Sequence, residues 1–323
     1  MEDAFGREIS YLRISVTDRC DFRCSYCLPR GYRGYAATDD WLTVAEVGRL
    51  SAIFARLGVR HVRLTGGEPL LRRDIVDLSR VIETTPGIDE VTLSTNGSQL
   101  GRLALPLYQS GVSRLNISLD SLDPETFHHL TGGRLAAVLS GIDAAVEAGF
   151  SPIKINMVMM RGINDHEVVR MVELCRQKRL TLRFIEAMPI GDNGIASQEH
   201  YLPLSEVERE LRRHYTLHAT VMRGSGPARY FRVGESALVV GFITPQSQHF
   251  CDSCNRVRLS VTGELHLCLD SDAPLSLRAL LRRGASDEEV SATIVSALAT
   301  KPARHTFGQT DTHTLRPMSA LGG

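Results

Sequence analysis

Six of the seven cysteines in this chain fall into two groups of three. Cys20, Cys24 and Cys27 stand as C-x3-C-x2-C in CDFRCSYC, and Cys251, Cys254 and Cys268 as C-x2-C-x13-C across HFCDSCNRVRLS and GELHLCL. Three thiolates are one ligand short of a tetrahedral zinc site. They do suffice to hold a cubane iron-sulfur cluster by three of its irons, leaving the fourth iron open to a substrate or cofactor. From residue types alone, alternatives stay open: zinc with a distant fourth ligand or buried thiols for the first group, and zinc helped by His249 or His266 for the second. Cys175, alone in VVRMVELCRQ, reads as a small buried apolar side chain.

Beside the second group lie Arg256 and Arg258, two positions apart and on one face if NRVRLS is a strand. Two guanidiniums next to a metal centre make an anion site, because each offers a fixed fork of donors matched to phosphate oxygens. A solvated strand face is the plainer alternative.

The elements that must position these residues follow from periodicity. Between residue 11 and about residue 215, the β-rich runs YLRISV, HVRLTGG, EVTLSTNG, RLNISLD, IKINMVMM and TLRFIEAM alternate with helical patterns. LTVAEVGRLSAIFARLG and VLSGIDAAVEAGF, for example, repeat apolar residues at three and four positions and end in Gly. Strand-then-helix repetition of this kind predicts an α/β fold with parallel strands. Polar residues gather at the C-terminal ends of the runs, where βα loops converge and active sites form. After about residue 220 the texture turns Gly-rich and β-like, with VTGE as a turn, and HTFGQTDTHTLRPMSALGG reads as an extended tail.

Lys+Arg and Asp+Glu both total 37, so no global field draws the chain to nucleic acid or to an anionic membrane. MEDAFGREIS lacks a secretory pattern, no run has the length of a membrane span, and the thiols read as reduced; the expectation is a cytoplasmic enzyme.

CDFRCSYC, with an aromatic before its last cysteine, resembles the radical S-adenosylmethionine (SAM) motif, and LTGGEP resembles the glycine-rich element that contacts SAM in those enzymes. The second cysteine set narrows the resemblance. With YLRISVTDRC, STNG, NISLD, KIN, RFIEAMPIG, GFITP, KPARHTF and the terminal Gly-Gly, the whole chain is similar to the molybdenum cofactor biosynthesis protein A family, the GTP 3',8-cyclases.

The resemblance implies an incomplete (β/α)6 radical SAM barrel over residues 1–222 and a β-rich C-terminal module over 223–323. It implies two [4Fe-4S] clusters, on Cys20, Cys24 and Cys27 and on Cys251, Cys254 and Cys268. It places SAM at Tyr26, Gly67, Thr95, Ser118 and Met188, and GTP at Arg13, Arg63, Lys154, Arg183, Arg256 and Arg258. Gly322 and Gly323 would enter the active site. The 5'-deoxyadenosyl radical would take the ribose 3' hydrogen of GTP, and C3' would then attack guanine C8. The implied partners are a downstream cyclic pyranopterin monophosphate synthase, an electron donor and a second copy in a homodimer. Rival readings are a superfamily enzyme acting on a peptide or RNA, and a non-enzymatic electron-transfer protein. Two departures stand out: Leu28 follows the third cysteine where Met is usual, leading into the basic loop PRGYRGYAATDD, and Asp21 replaces a common Asn.

Overall fold

The computed structural model describes residues 1–29, 31–222, 224, 226–270, 273–307 and 318–320. All six expected runs are strands: β1 (Tyr11–Ser15), β2 (His61–Thr65), β3 (Glu90–Thr95), β4 (Val112–Ser118), β5 (Ile153–Met159) and β6 (Thr181–Glu186). Six further strands follow: β7 (Leu217–Thr220), β8 (Arg229–Val233), β9 (Val239–Ile243), β10 (Arg256–Leu259), β11 (Glu264–His266) and β12 (Leu275–Ser276).

They form one twelve-stranded sheet in the order β12-β11-β10-β1-β2-β3-β4-β5-β6-β9-β8-β7. Every pairing from β10 through β1–β6 to β9 is parallel. The later strands thus extend the first six on both edges, and hairpins finish them: β10 with β11 on one side, β9 with β8 on the other. Gly263, with φ +76, makes the β10–β11 turn, a conformation in which a Cβ would be strained.

The helices are α1 (Val44–Arg56), α2 (Ile75–Glu83), α3 (Leu100–Gln109), α4 (Pro124–Thr131), α5 (Leu135–Glu147), α6 (Val168–Gln177), α7 (Gly191–Ala196), α8 (Leu204–His214), α9 (Leu277–Arg282) and α10 (Asp287–Leu298). In α1 a capping box starts the helix: Glu46 N donates to Thr43 Oγ1 at 3.1 Å and Thr43 N to Glu46 Oε2 at 2.8 Å. Val47, Leu50, Ile53 and Phe54 then recur on one face and are buried, each burial contributing about 1.5–3 kcal/mol. Cys175 lies fully buried in α6, as a small apolar side chain would.

The strands sort their side chains by alternation. In β1, Leu12 and Ile14 enter the hydrophobic core, while Tyr11 and Arg13 turn to the opposite face and line a cavity. Among the described residues no helix is long and apolar enough to cross a membrane.

Candidate active site: two thiol groups at opposite ends of one cavity

Cys20, Cys24 and Cys27 follow β1, at the C-terminal end of the parallel strands. Cys251 and Cys254 precede β10, whose first residue, Arg256, pairs with Tyr11 at the start of β1; they therefore lie at the N-terminal end. Cys268 follows β11, which runs antiparallel to β10, and so returns to that same end. All six cysteines line one cavity. Because β1 is about 15 Å long at ~3.3 Å per residue, the two groups face each other along the strands.

Carboxylates of its own loop and of neighbouring loops hold the first group. Asp21 accepts from Asn96 Nδ2 and from Ser98 Oγ, both at 2.7 Å, tying the cysteine loop to the loop after β3. Glu68 accepts from Thr95 Oγ1 at 2.7 Å and from the Asn96 backbone at 2.6 Å. Burial raises Glu68 to about 7, against the pull of these hydrogen bonds. Asp120, raised by burial to about 6, accepts from the Tyr26 hydroxyl at 2.7 Å and from Val158 N at 2.9 Å, fixing the residue between the second and third cysteines. The substitution at Asp21 thus makes a clamp with two partners. Leu28 fills a core position.

The glycines of LTGGEP serve backbone contact. A Cβ on Gly67 would sit 2.3 Å from Arg19 O, and one on Gly66 2.4 Å from Thr17 O. Their absence lets Gly67 N reach Thr17 O and Glu68 N reach Arg19 O, each at 2.8 Å, so the loop lies flat on the segment leading into Cys20. Gly67, Thr95, Ser118 and Met188 all line this end of the cavity with Tyr26.

Between the two ends runs a belt of cations. Arg258, Arg13 and Arg63 are register partners across β10, β1 and β2. Arg183 is aimed by two amides: its Nε donates to Asn156 Oδ1 at 2.9 Å and its NH2 to Asn116 Oδ1 at 2.6 Å. Burial lowers Arg13 well below the ordinary guanidinium range, with Arg258, Arg63 and Arg256 adding repulsion. Arg183 and Arg258 are each lowered to about 10, burial first, then the neighbouring Arg63 and Arg256 respectively. Arg63 and Arg256 stack on the Tyr11 ring, at 5.4 and 5.9 Å.

Lys154 is absent from the cavity lining; its ammonium donates to the Tyr230 hydroxyl at 3.2 Å, one strand step below the lining Asn156. Gly322 and Gly323 lie outside the described residues, but the short turn before them, Met318–Ala320, brings Met318 and Ser319 to the cavity wall.

The donor sets fit the groups that the cysteines and arginines imply. Burial holds Cys24 well above the ordinary thiol range and Cys27 at about 12, with Asp120 adding to both, so these sulfurs keep their protons until a metal takes them. Among the described residues no three His, Cys, Asp or Glu side chains form the ligand set of one metal ion. The Tyr11 hydroxyl and Arg256 Nε are buried with no hydrogen-bond partner among the described residues, beside a concentration of positive charge that favours a polyanion.

Residues 14–175 match the model of the Radical SAM superfamily, and residues 180–307 that of Molybdenum Cofactor Synthesis C. A GTP 3',8-cyclase of Marinobacter nauticus is 45% identical, the match covering 100% of this chain and 98% of that protein. The chain belongs to the GTP 3',8-cyclase family, within the radical SAM superfamily. Another member, from Paracoccus denitrificans, is 46% identical, with 99% of this chain and 95% of its own length covered. Among solved structures, Streptococcus suis SuiB bound to S-adenosylmethionine shares the fold at a TM-score of 0.63 and 16% identity, over 97% of this chain and 77% of that one.

Several of the site's polar residues carry no role in the sequence reading, among them Glu68, Asn156, Tyr11, Asp120 and Lys301. Tyr11 was concealed in an ordinary alternating strand, Asp120 at a strand end, and Lys301 inside KPARHTF. All three stand within stretches already singled out; for Tyr11 the signal is its two-residue spacing from Arg13.

Proposed function

We propose that this chain is a radical SAM GTP 3',8-cyclase, converting GTP to (8S)-3',8-cyclo-7,8-dihydroguanosine 5'-triphosphate, the first step of molybdenum cofactor biosynthesis. The observation that carries the reading is the placing of two cysteine triplets at opposite ends of one cavity with an arginine belt between them.

Cys20, Cys24 and Cys27 would hold one [4Fe-4S] cluster, and Cys251, Cys254 and Cys268 the other. When bound and reduced, the first cluster supplies the electron that splits SAM into methionine and a 5'-deoxyadenosyl radical. Tyr26, Gly67, Thr95, Ser118 and Met188 lie where they would orient SAM at that end. The Thr95 hydroxyl already donates to Glu68 and accepts from Gly97 N at 3.0 Å, so its contact would be by shape or through its remaining lone pair. Arg13, Arg63, Arg183, Arg256 and Arg258 would hold the triphosphate, with Lys154 one step beneath them. Their charge is costly to bury without an anion, and a bound triphosphate removes that cost.

The segment ending in Gly322 and Gly323 would reach in past Ser319, which already stands in the wall. In this reading residues 1–222 carry the SAM half of the site and 223–323 the second cluster. The chain would act in the cytoplasm, as a homodimer, receive electrons from a carrier and hand its product to cyclic pyranopterin monophosphate synthase.

The test is anaerobic reconstitution with iron and sulfide, then reduction in the presence of SAM and GTP. Formation of both 5'-deoxyadenosine and the cyclised nucleotide is expected, with ATP unable to replace GTP. Deoxyadenosine without GTP consumption would remove the substrate assignment.

A further inference from the structure

Buried cations clamp the second cysteine group from both termini of the chain. Arg7 donates to the carbonyls of Cys251 at 3.0 Å, Ala303 at 2.8 Å and Pro302 at 2.7 Å, and its charge is met by Asp3 at 2.6 Å. Lys301 makes the second clamp. It is 3% exposed, and its ammonium donates to the carbonyl of Arg256 at 3.1 Å and to that of Leu267.

Arg256 stands two residues after Cys254, and Leu267 one before Cys268, so a single side chain ties together the two backbones that carry these thiols. Among the described residues its hydrogen bonds go to carbonyls and none to a carboxylate. Carbonyl dipoles solvate an ammonium without cancelling its charge, and a buried charge with no counter-charge is strongly disfavoured. An ammonium has three donors, which leaves one beyond these two bonds. Lys301 lines the cavity alongside Cys254 and Cys268, whose sulfurs act electrostatically on it.

We propose that Lys301 is the positioning cation of the second iron-sulfur site: it holds the Cys254 and Cys268 segments together and offsets the negative charge of the thiolate-bound cluster. The proposal rests on reading this cysteine group as a cluster site. Arg7 also acts on Cys251 and Cys254 but is ion-paired with Asp3, whereas Lys301 has no carboxylate hydrogen-bond partner among the described residues. A fixed positive charge favours the reduced cluster, so its removal makes reduction harder.

The experiment uses the full-length chain with Cys20, Cys24 and Cys27 replaced by Ala, in which the second group is the sole cluster site. Iron and sulfide per chain, and a redox titration followed by electron paramagnetic resonance, then report on that site directly. Lys301→Met removes both charge and clamp; Lys301→Gln keeps a donor for the carbonyls and removes the charge alone. The Met chain should lose most of its iron, and the Gln chain should keep iron but titrate at a more negative potential. A Gln chain with full iron and an unmoved potential overturns the electrostatic role. A Met chain with full iron overturns the clamp, and if that chain does not fold, the Gln chain decides alone. If the parent triple-Ala chain takes up no iron at all, the cluster reading itself fails, separately from the role of Lys301.

Discussion

At the scale of single residues, the site is marked by the Tyr11 hydroxyl and Arg256 Nε, buried with no hydrogen-bond partner among the described residues. Tyr11 is 4% exposed, its hydroxyl has no partner among the described residues, and its ring lies under Arg63 and Arg256. An unsatisfied buried hydroxyl costs about 1–3 kcal/mol, a cost that a phosphate oxygen would remove. Tyr11→Phe is therefore expected to leave thermal stability equal or higher while weakening GTP binding about five- to thirtyfold by calorimetry. Unchanged affinity would make Tyr11 a packing residue. Lys154 gives a pH prediction. Burial, with Arg183, Arg114 and Arg63, lowers it from 10.5 to about 7. In the unliganded protein the unfolded chain binds this proton between those values and the folded chain does not, so stability is full above 10.5 and is lost as pH falls to about 7. A bound triphosphate reverses the preference and holds the ammonium charged. GTP binding should then take up a proton above pH 7 and weaken as pH rises further, by up to about tenfold per unit. Titrations in buffers of different ionisation enthalpy read that uptake, and Lys154→Met should abolish it.

At the scale of elements, the decisive pairing is β10 with β1. It sets Arg256 opposite Tyr11 and Arg258 opposite Arg13, converting two arginines at the far end of the sequence into part of the belt begun by β1 and β2. A charge-assisted hydrogen bond contributes about 1.5–3 kcal/mol, so Arg256→Ala or Arg258→Ala should weaken GTP binding about ten- to hundredfold. SAM, proposed to bind at the other end of the strands, should bind within about twofold of the parent by the same energetic scale. Equal loss of both ligands would refute the separation of the two ends. The six βα runs and α1 were legible because alternation and 3.6-residue periodicity are local signals. The partners of β9 and β10 were not legible. A strand's own residues record which face is buried, whereas its neighbour is chosen by the shape of a sheet assembled from distant segments.

At the scale of the whole molecule, segments near both ends of the sequence meet at the site. Arg7 joins Cys251 to residues 302 and 303, and Ser319 stands in the cavity wall and donates from its backbone toward Cys27. Gly322 and Gly323, which are proposed to enter the site, carry no side chains. Deleting Gly322 and Gly323 is expected to preserve iron content and deoxyadenosine formation while lowering cyclised product at least about tenfold, a loss of transition-state stabilisation of roughly 1.4 kcal/mol or more. Unchanged product formation would remove the tail from the mechanism. By itself the sequence determined the thiol triplets, the parallel βα order and the arginine-bearing strands, because spacing and periodicity are written along the chain. Only the tertiary structure decided that the triplets oppose one another across one cavity, that Asp21 clamps two loops, that Gly66 and Gly67 make room for backbone, and that Tyr11 and Lys301 belong to the site. Each of those depends on contacts between residues far apart in sequence, and burial, charge and hydrogen-bond partnership at such contacts exist only once the chain has folded.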